Sequence, residues 1–177
     1  MEAIHLWWIG EKDPGPRTLE HLQLHLGRAI GLPVAVWDDP ARPPDAYDAR
    51  RKQWSTSRIL AWLVQSGPPG LVLAVTDQDL FIPILTFVFG EAQLGGRAAV
   101  VSSARLGEPG LPDPRVALER LAKESVHELG HCFGLVHCDR PGCVMGRSSG
   151  ARDVDKKRGE FCTTCRGRVM RSGGEAR

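Results

Sequence analysis

The run His127-Glu128-Leu129-Gly130-His131-Cys132-Phe133-Gly134-Leu135-Val136-His137 leaves few folds open to this chain. It fits the spacing H-E-x-x-H-x-x-G-x-x-H, with a methionine, Met145, further on. On an α-helix, residues four apart stand one turn apart on the same face. His127 and His131 can therefore aim two imidazoles at one Zn²⁺, each about 2.0–2.1 Å from the metal. Glu128 sits about a third of a turn round from His127, which puts its carboxylate beside the metal's open position rather than on the metal. From there it can take a proton from a zinc-bound water, whose pKa the metal lowers to about 7. Gly134 stands where the helix has to end, and glycine accepts the left-handed conformation there at little cost. That turn lets His137 swing back as a third ligand. Three histidines leave a fourth position for water, the mark of a catalytic rather than a structural site. The plainer alternative is a helix with two unligated histidines on a solvated face; the glycine and the third histidine weigh against it.

Beyond this run come Cys138, Cys143 and Met145, then Cys162 and Cys165. Two cysteine pairs often hold a tetrahedral zinc, with a disulfide pairing as the alternative. The segment from His127 to Cys165 resembles the archaemetzincins, a family of small zinc metallopeptidases that combine the metzincin helix with four cysteines around a second zinc. The block Thr76-Asp77-Gln78-Asp79-Leu80-Phe81 resembles the family sequence after its third strand and extends the match upstream. The resemblance implies a metzincin-like zincin of the α/β (α+β) class. Such a fold has a mixed twisted sheet of about five strands with one antiparallel edge strand, an active-site helix and a small loop-rich C-terminal zinc subdomain. It implies two Zn²⁺ per chain, one catalytic on His127, His131 and His137, the other structural on Cys138, Cys143, Cys162 and Cys165. It also implies that Met145 lies in the Met-turn, a tight turn beneath the catalytic metal; a core methionine, the plainer reading, does not conflict with this. The spacer between Met145 and Cys162 is one residue shorter than the family pattern.

A chain of 177 residues suits one domain with a real core. We read residues 1–165 as that domain, with 1–134 holding the N-terminal part and the active-site helix and 135–165 the zinc-binding part. Residues 166–177 are basic and contain glycine and serine, and with Lys156-Lys157-Arg158 they read as solvated and unstructured. A net charge of +2 gives no argument for a nucleic-acid protein. No apolar run approaches the length of a membrane span. The start, Met1 to Ile9, lacks a basic region and a small-residue cleavage site, so it does not read as a signal peptide. A cytoplasmic location follows by default. Cysteines near histidines in a reducing compartment hold metal more often than they form disulfides. Cys132, inside the active helix on the side away from the histidines, reads as a small buried apolar residue.

Taken in order, Ala3–Ile9 is a near-continuous apolar run suited to a strand covered on both faces, ended by Asp13-Pro14-Gly15-Pro16. Leu19, Leu22, Leu26 and Ile30 recur at helical spacing, with Gly31 closing the helix. His21 and His25 on that helix stand at i and i+4; without a third ligand nearby, a solvated helix face is the better reading than a metal pair. Val34–Trp37 reads as a strand, Pro40–Pro44 as a loop, 48–65 as a helix and Leu71–Val75 as a third buried strand, suggesting parallel β-α units. Asp77 and Asp79 could bind a cation, but such residues more often bond to local amides. Thr86–Gly90 and Ala98–Ser103 form a hairpin through Leu94-Gly95-Gly96, with Phe87–Ala92 the candidate edge strand that pairs with an extended peptide. An edge shielded by a loop is the alternative. Asp113-Pro114 starts the active-site helix as N-cap and first-turn proline. Leu118, Ala122, Ser125, Leu129 and Cys132 form its small or apolar face.

These features point first to hydrolysis of peptide bonds by a zinc-bound water, with Glu128 as general base and then acid and a peptide or protein as substrate. The rival is a zinc-stabilised module that holds extended peptides without cutting them. A nucleic-acid-binding ribbon built on Cys162, Cys165 and the basic tail ranks last, because the cysteine spacings are unequal and no aromatic residues interleave the basic ones. Oligomeric state and cleavage specificity are not written in any of these motifs.

Overall fold

Apolar runs without polar interruption make interior strands, and the centre of this fold is built from them. The computed structural model describes residues 3–107 and 113–174. In it β1 (Ile4–Trp8) pairs in parallel with β2 (Val34–Trp37) on one side and β5 (Leu71–Thr76) on the other. Strand β5 pairs in parallel with β8 (Ala98–Ser102), and β7 (Gly90–Ala92) ends the row antiparallel to β8. The sheet therefore runs β2-β1-β5-β8-β7, five strands with one antiparallel edge, as expected from the sequence. Every residue of β5 is buried, because helices cover both faces.

Alternating side chains divide the core. Leu71, Leu73 and Val75 pack with Leu22 and Leu26 of α1 (Pro16–Ile30) and with Leu121, Val126 and Leu129 of α3 (Pro114–Cys132). Val72 and Ala74 face the other way, onto Ile59 and Leu63 of α2 (Thr56–Ser66). Helix α1 ends at Gly31, which takes the left-handed conformation (φ 84°) and donates to the Gly27 carbonyl at 2.9 Å. Helix α3 begins as the Asp113-Pro114 pair requires, with Asp113 Oδ1 accepting the Arg115 backbone N–H at 2.9 Å.

Besides the edge strand, expected at Thr86–Gly90 and formed at Gly90–Ala92, two stretches depart from the sequence expectation. Residues 48–55 are not helical. They form β3 (Tyr47–Asp48) and β4 (Gln53–Ser55), which join β6 (Leu80–Phe81) in a small second sheet. The Asp48 carboxylate captures the backbone N–H groups of Arg50 and Arg51 at 2.9 and 3.0 Å, and Lys52 has a positive φ of 54°. A local Asx turn and a left-handed residue both exclude helix there.

The C-terminal segment is the second. It carries α4 (Ala151–Asp155) and α5 (Thr163–Gly174), so an unstructured tail from residue 166 is corrected; 175–177 lie outside the described residues. Helix α5 is anchored by buried Cys165 and Val169. Its Arg166 guanidinium donates to the Ala29 carbonyl at 3.2 Å, at the C-terminal end of α1, where a cation is favoured. Val144, Met145, Val154, Phe161 and Cys165 belong to the same apolar cluster as Ile4 and Leu6 of β1, so both ends of the chain share one core.

Helices α3 and α4 are clamped together. Buried Arg120 reaches Asp155 with two hydrogen bonds, 2.8 and 2.7 Å, and the Leu106 carbonyl with a third, 2.7 Å. Hydrogen bonds from Arg120 hold the Asp155 carboxyl below its usual range. A depressed carboxyl stabilises the fold above the unfolded value of about 3.9 and stops doing so as pH falls through the folded value. Asp155→Asn is therefore expected to lower stability at pH 7, by on the order of 1 kcal/mol because solvent screens a carboxylate that is 44% exposed. The gap to the parent should shrink in denaturant melts at acid pH. A gap that is constant or widens on acidification would contradict this role.

Candidate metal centres

The active-site helix presents its histidines because of what lies beneath it. A Cβ built on Gly130 would collide with the Met145 thioether and come within 3.0 Å of the Phe161 ring. Glycine lets Met145, fully buried, press against the helix backbone. That seats the turn around Met145 under α3. The neighbouring Val144 carbonyl then accepts from His127 Nδ1 at 2.8 Å. Past the helix end, Gly134 at φ 78° and the Leu135 N–H donating to the Gly130 carbonyl (3.0 Å) reverse the chain. The reversed chain brings the Leu135 carbonyl to His131 Nδ1 at 2.7 Å.

With Nδ1–H donated in both rings, each Nε2 carries its lone pair, and the two Nε2 atoms lie 3.1 Å apart. The His137 ring stands 5.3 Å from that of His127 and 5.2 Å from that of His131. One nitrogen from each of the three rings lies within 4.8 Å of the others. Tetrahedral nitrogen ligands at about 2.0–2.1 Å from zinc are about 3.3–3.4 Å apart, so the arrangement fits such an ion. Burial holds His127 well below its usual pKa, with the charge of Lys157 adding to it, and burial also lowers His131 and His137. All three rings are therefore neutral near pH 7, the form that ligates metal.

Glu128 lies on the sheet side of this group. A Cβ on Gly90 of the edge strand would fall 2.7 Å from Glu128 Cγ and 2.8 Å from its Oε1, so glycine in β7 is what admits the carboxylate. Complete burial pushes this carboxyl well above its usual range, and the charge of Glu124 adds to the shift. A carboxyl in such a setting holds a proton more readily than an exposed one.

Lys157 was expected in a solvated basic run and is instead buried. Its Nζ donates to Glu124 Oε1 at 2.8 Å, with each side chain 4% exposed. Burial raises the Glu124 carboxyl, and Lys157 opposes that. Glu124, one turn before His127, opens onto the same cleft. This cleft of about 700 Å³ is lined by Phe87, Phe89 and Gly90 on one side and by His127, Glu128 and His137 on the other, so the Phe87–Ala92 stretch does border the three histidines.

The four later cysteines also converge. Cys138 and Cys162 Sγ are 3.9 Å apart, as are those of Cys143 and Cys165, and all four lie within 4.8 Å of one another. Disulfide sulfurs are about 2.05 Å apart, so the disulfide alternative fails. Sulfurs bound tetrahedrally at about 2.3 Å would be about 3.8 Å apart, which fits. Burial raises the Cys162 thiol, but hydrogen bonds from the Cys165 N–H and the neighbouring thiols outweigh it and bring the pKa down to about 7. Cys132 stands apart, buried, with its thiol pushed up to about 12 by that burial. The Cys138 N–H donates to the Met145 carbonyl at 3.0 Å, so the cysteine cluster and the turn under α3 are one unit. Asp77 caps the Glu11 and Lys12 amides at 2.9 and 3.2 Å. Asp79 holds Arg105 at 2.6 and 2.7 Å. Both are structural.

Residues 70–171 match Peptidase family M54. The chain is 44% identical over 151 residues to the archaemetzincin of Methanopyrus kandleri, covering 84% of this chain and 82% of that one. It is 42% identical over 152 residues to the archaemetzincin of Archaeoglobus fulgidus, covering 86% and 91%. The crystal structure of the Methanopyrus kandleri protein superimposes with a TM-score of 0.87 at 38% identity, covering 97% of this chain and 95% of that one. Among the described residues, no helix is long and apolar enough to cross a membrane. The chain belongs to peptidase family M54, with the archaemetzincins, and is a zinc metallopeptidase.

Proposed function

We propose that the chain hydrolyses peptide bonds at a zinc held by His127, His131 and His137, with Glu128 as general base and then general acid. The observation that carries this reading is the approach of three neutral ring nitrogens to within 4.8 Å of one another beside a buried carboxyl. Zinc bound there would polarise the scissile carbonyl and lower the pKa of the attacking water to about 7. Glu128 would take a proton from the attacking water and pass it to the leaving amine. His127 and His131 serve only as ligands, oriented from behind by the Val144 and Leu135 carbonyls. Phe87–Ala92 offers its backbone to an extended substrate, which asks for little sequence beyond that shape.

Cys138, Cys143, Cys162 and Cys165 hold a second, structural zinc in this reading, giving two per chain. Residues 135–165 then form a zinc-pinned subdomain on the core of 1–134, and its metal sets the place of His137 through adjacent Cys138. Unbridged thiols of this kind suit a reducing compartment, and we assign the protein to the cytoplasm.

Glu128→Ala is expected to keep both zincs by elemental analysis while losing at least about 100-fold in cleavage of unstructured peptides. Cleavage at the parental rate would contradict the assignment. Cys143→Ser is expected to lose one zinc, melt at lower temperature and lose activity because His137 is released. A variant with parental zinc content and melting temperature would remove the structural site. Lys157→Met should leave Glu124 buried without its cation and lower stability by about 3–5 kcal/mol; a denaturant melt unchanged from the parent would show that the pair is not a structural necessity.

A further inference from the structure

A second histidine pair lies between α1 and α3, away from the cleft. His21 and His25 stand one turn apart on α1, so both rings project from one face. Their centroids are 6.0 Å apart, with the planes inclined by only 27°. The spacing alone suits a solvated face, since no ligand follows nearby in sequence. The fold supplies one from another helix: Glu119 of α3 places Oε1 3.3 Å from His21 Nε2. One donor atom from each of the three residues lies within 4.8 Å of the others.

We propose that His21, His25 and Glu119 form a third metal site, taking a first-row divalent cation of the zinc class. Two imidazoles and a carboxylate are the donor set such ions prefer. His21 Nε2 is shut off from water yet makes no hydrogen bond, despite its approach to the Glu119 carboxylate. A buried polar nitrogen in that condition is destabilising, and a metal bond satisfies it. The His25 ring is held in place from the far side. Its Nε2 lies 3.3 Å from the Gly159 carbonyl, and a Cβ on Gly159 would come within 2.6 Å of the ring.

A bare His21–Glu119 ion pair is the competing account. With side chains 31% and 52% exposed, such a pair contributes little by itself. Glu119 is half exposed, so the site binds more weakly than an enclosed four-cysteine site and exchanges its metal. When filled, it ties α1 to α3 and, through His25 and Gly159, to the segment that leads into Cys162.

Zinc titration calorimetry on the protein already loaded at its tight sites, with excess metal removed, tests this. The parent is expected to take up one further equivalent of Zn²⁺, and its melting temperature should rise with added zinc. The double variant His21→Ala/His25→Ala and the milder Glu119→Gln are each expected to lose or weaken that equivalent at least tenfold. Both should keep the parental rate of peptide cleavage in zinc-limited buffer. A parent that binds no further zinc would overturn the proposal. So would variants that take it up as the parent does, because the extra ion would then sit elsewhere, at the catalytic cleft included.

Discussion

Everything at the catalytic end rests on the close approach of Gly130 to Met145. Without a side chain at Gly130, the turn carrying Val144 and Met145 comes up under α3, and the Val144 carbonyl meets His127. That single contact fixes the tautomer of His127 and joins the helix to the last third of the chain. The same turn hangs from the cysteine cluster through Cys138 and Met145. A ring placed by packed backbone is held more rigidly than one on a free loop, and hydrolytic chemistry tolerates little misplacement.

Charge is arranged around this contact in an ordered way. Burial keeps three imidazoles neutral and a carboxyl reluctant to ionise. Lys157, drawn inward by Glu124, puts one positive charge behind that group. The family places the chain among catalysts, so a purely peptide-holding module no longer accounts for it. The physical reason lies in the same group of residues: a buried carboxyl beside three converging nitrogens is an expensive arrangement for a protein that only binds.

Much of this was legible in the residues, for reasons that differ from part to part. His127, Glu128 and His131 are readable because helical periodicity is local, and Gly134 because a left-handed turn has a residue preference. The four cysteines are readable because thiols paired near histidines have few other uses. The central strands followed from apolar runs, and Asp113-Pro114 marked the start of α3. Lys157 was not readable. Its partner lies 33 positions away, and in sequence it sits in a basic run that looks solvated. Helix α5 is hidden in the sequence for a related reason: its anchors, Cys165 and Val169, are sparse, and the surface that covers them comes from other elements. Residues 48–55 look helical by apolar content, and the Asx turn at Asp48 and the left-handed Lys52 override it. Glu119 as neighbour to His21 is likewise a property of helix packing, invisible to spacing.

Anomalous diffraction at the zinc edge, on crystals of the zinc-loaded protein, tests the catalytic assignment most directly. We expect one peak bonded to ring nitrogens of His127, His131 and His137, with Glu128 turned toward it but not bonded, and a separate peak among the four cysteine sulfurs. Zinc on the cysteines alone, or a zinc bonded directly to the Glu128 carboxylate, would contradict it.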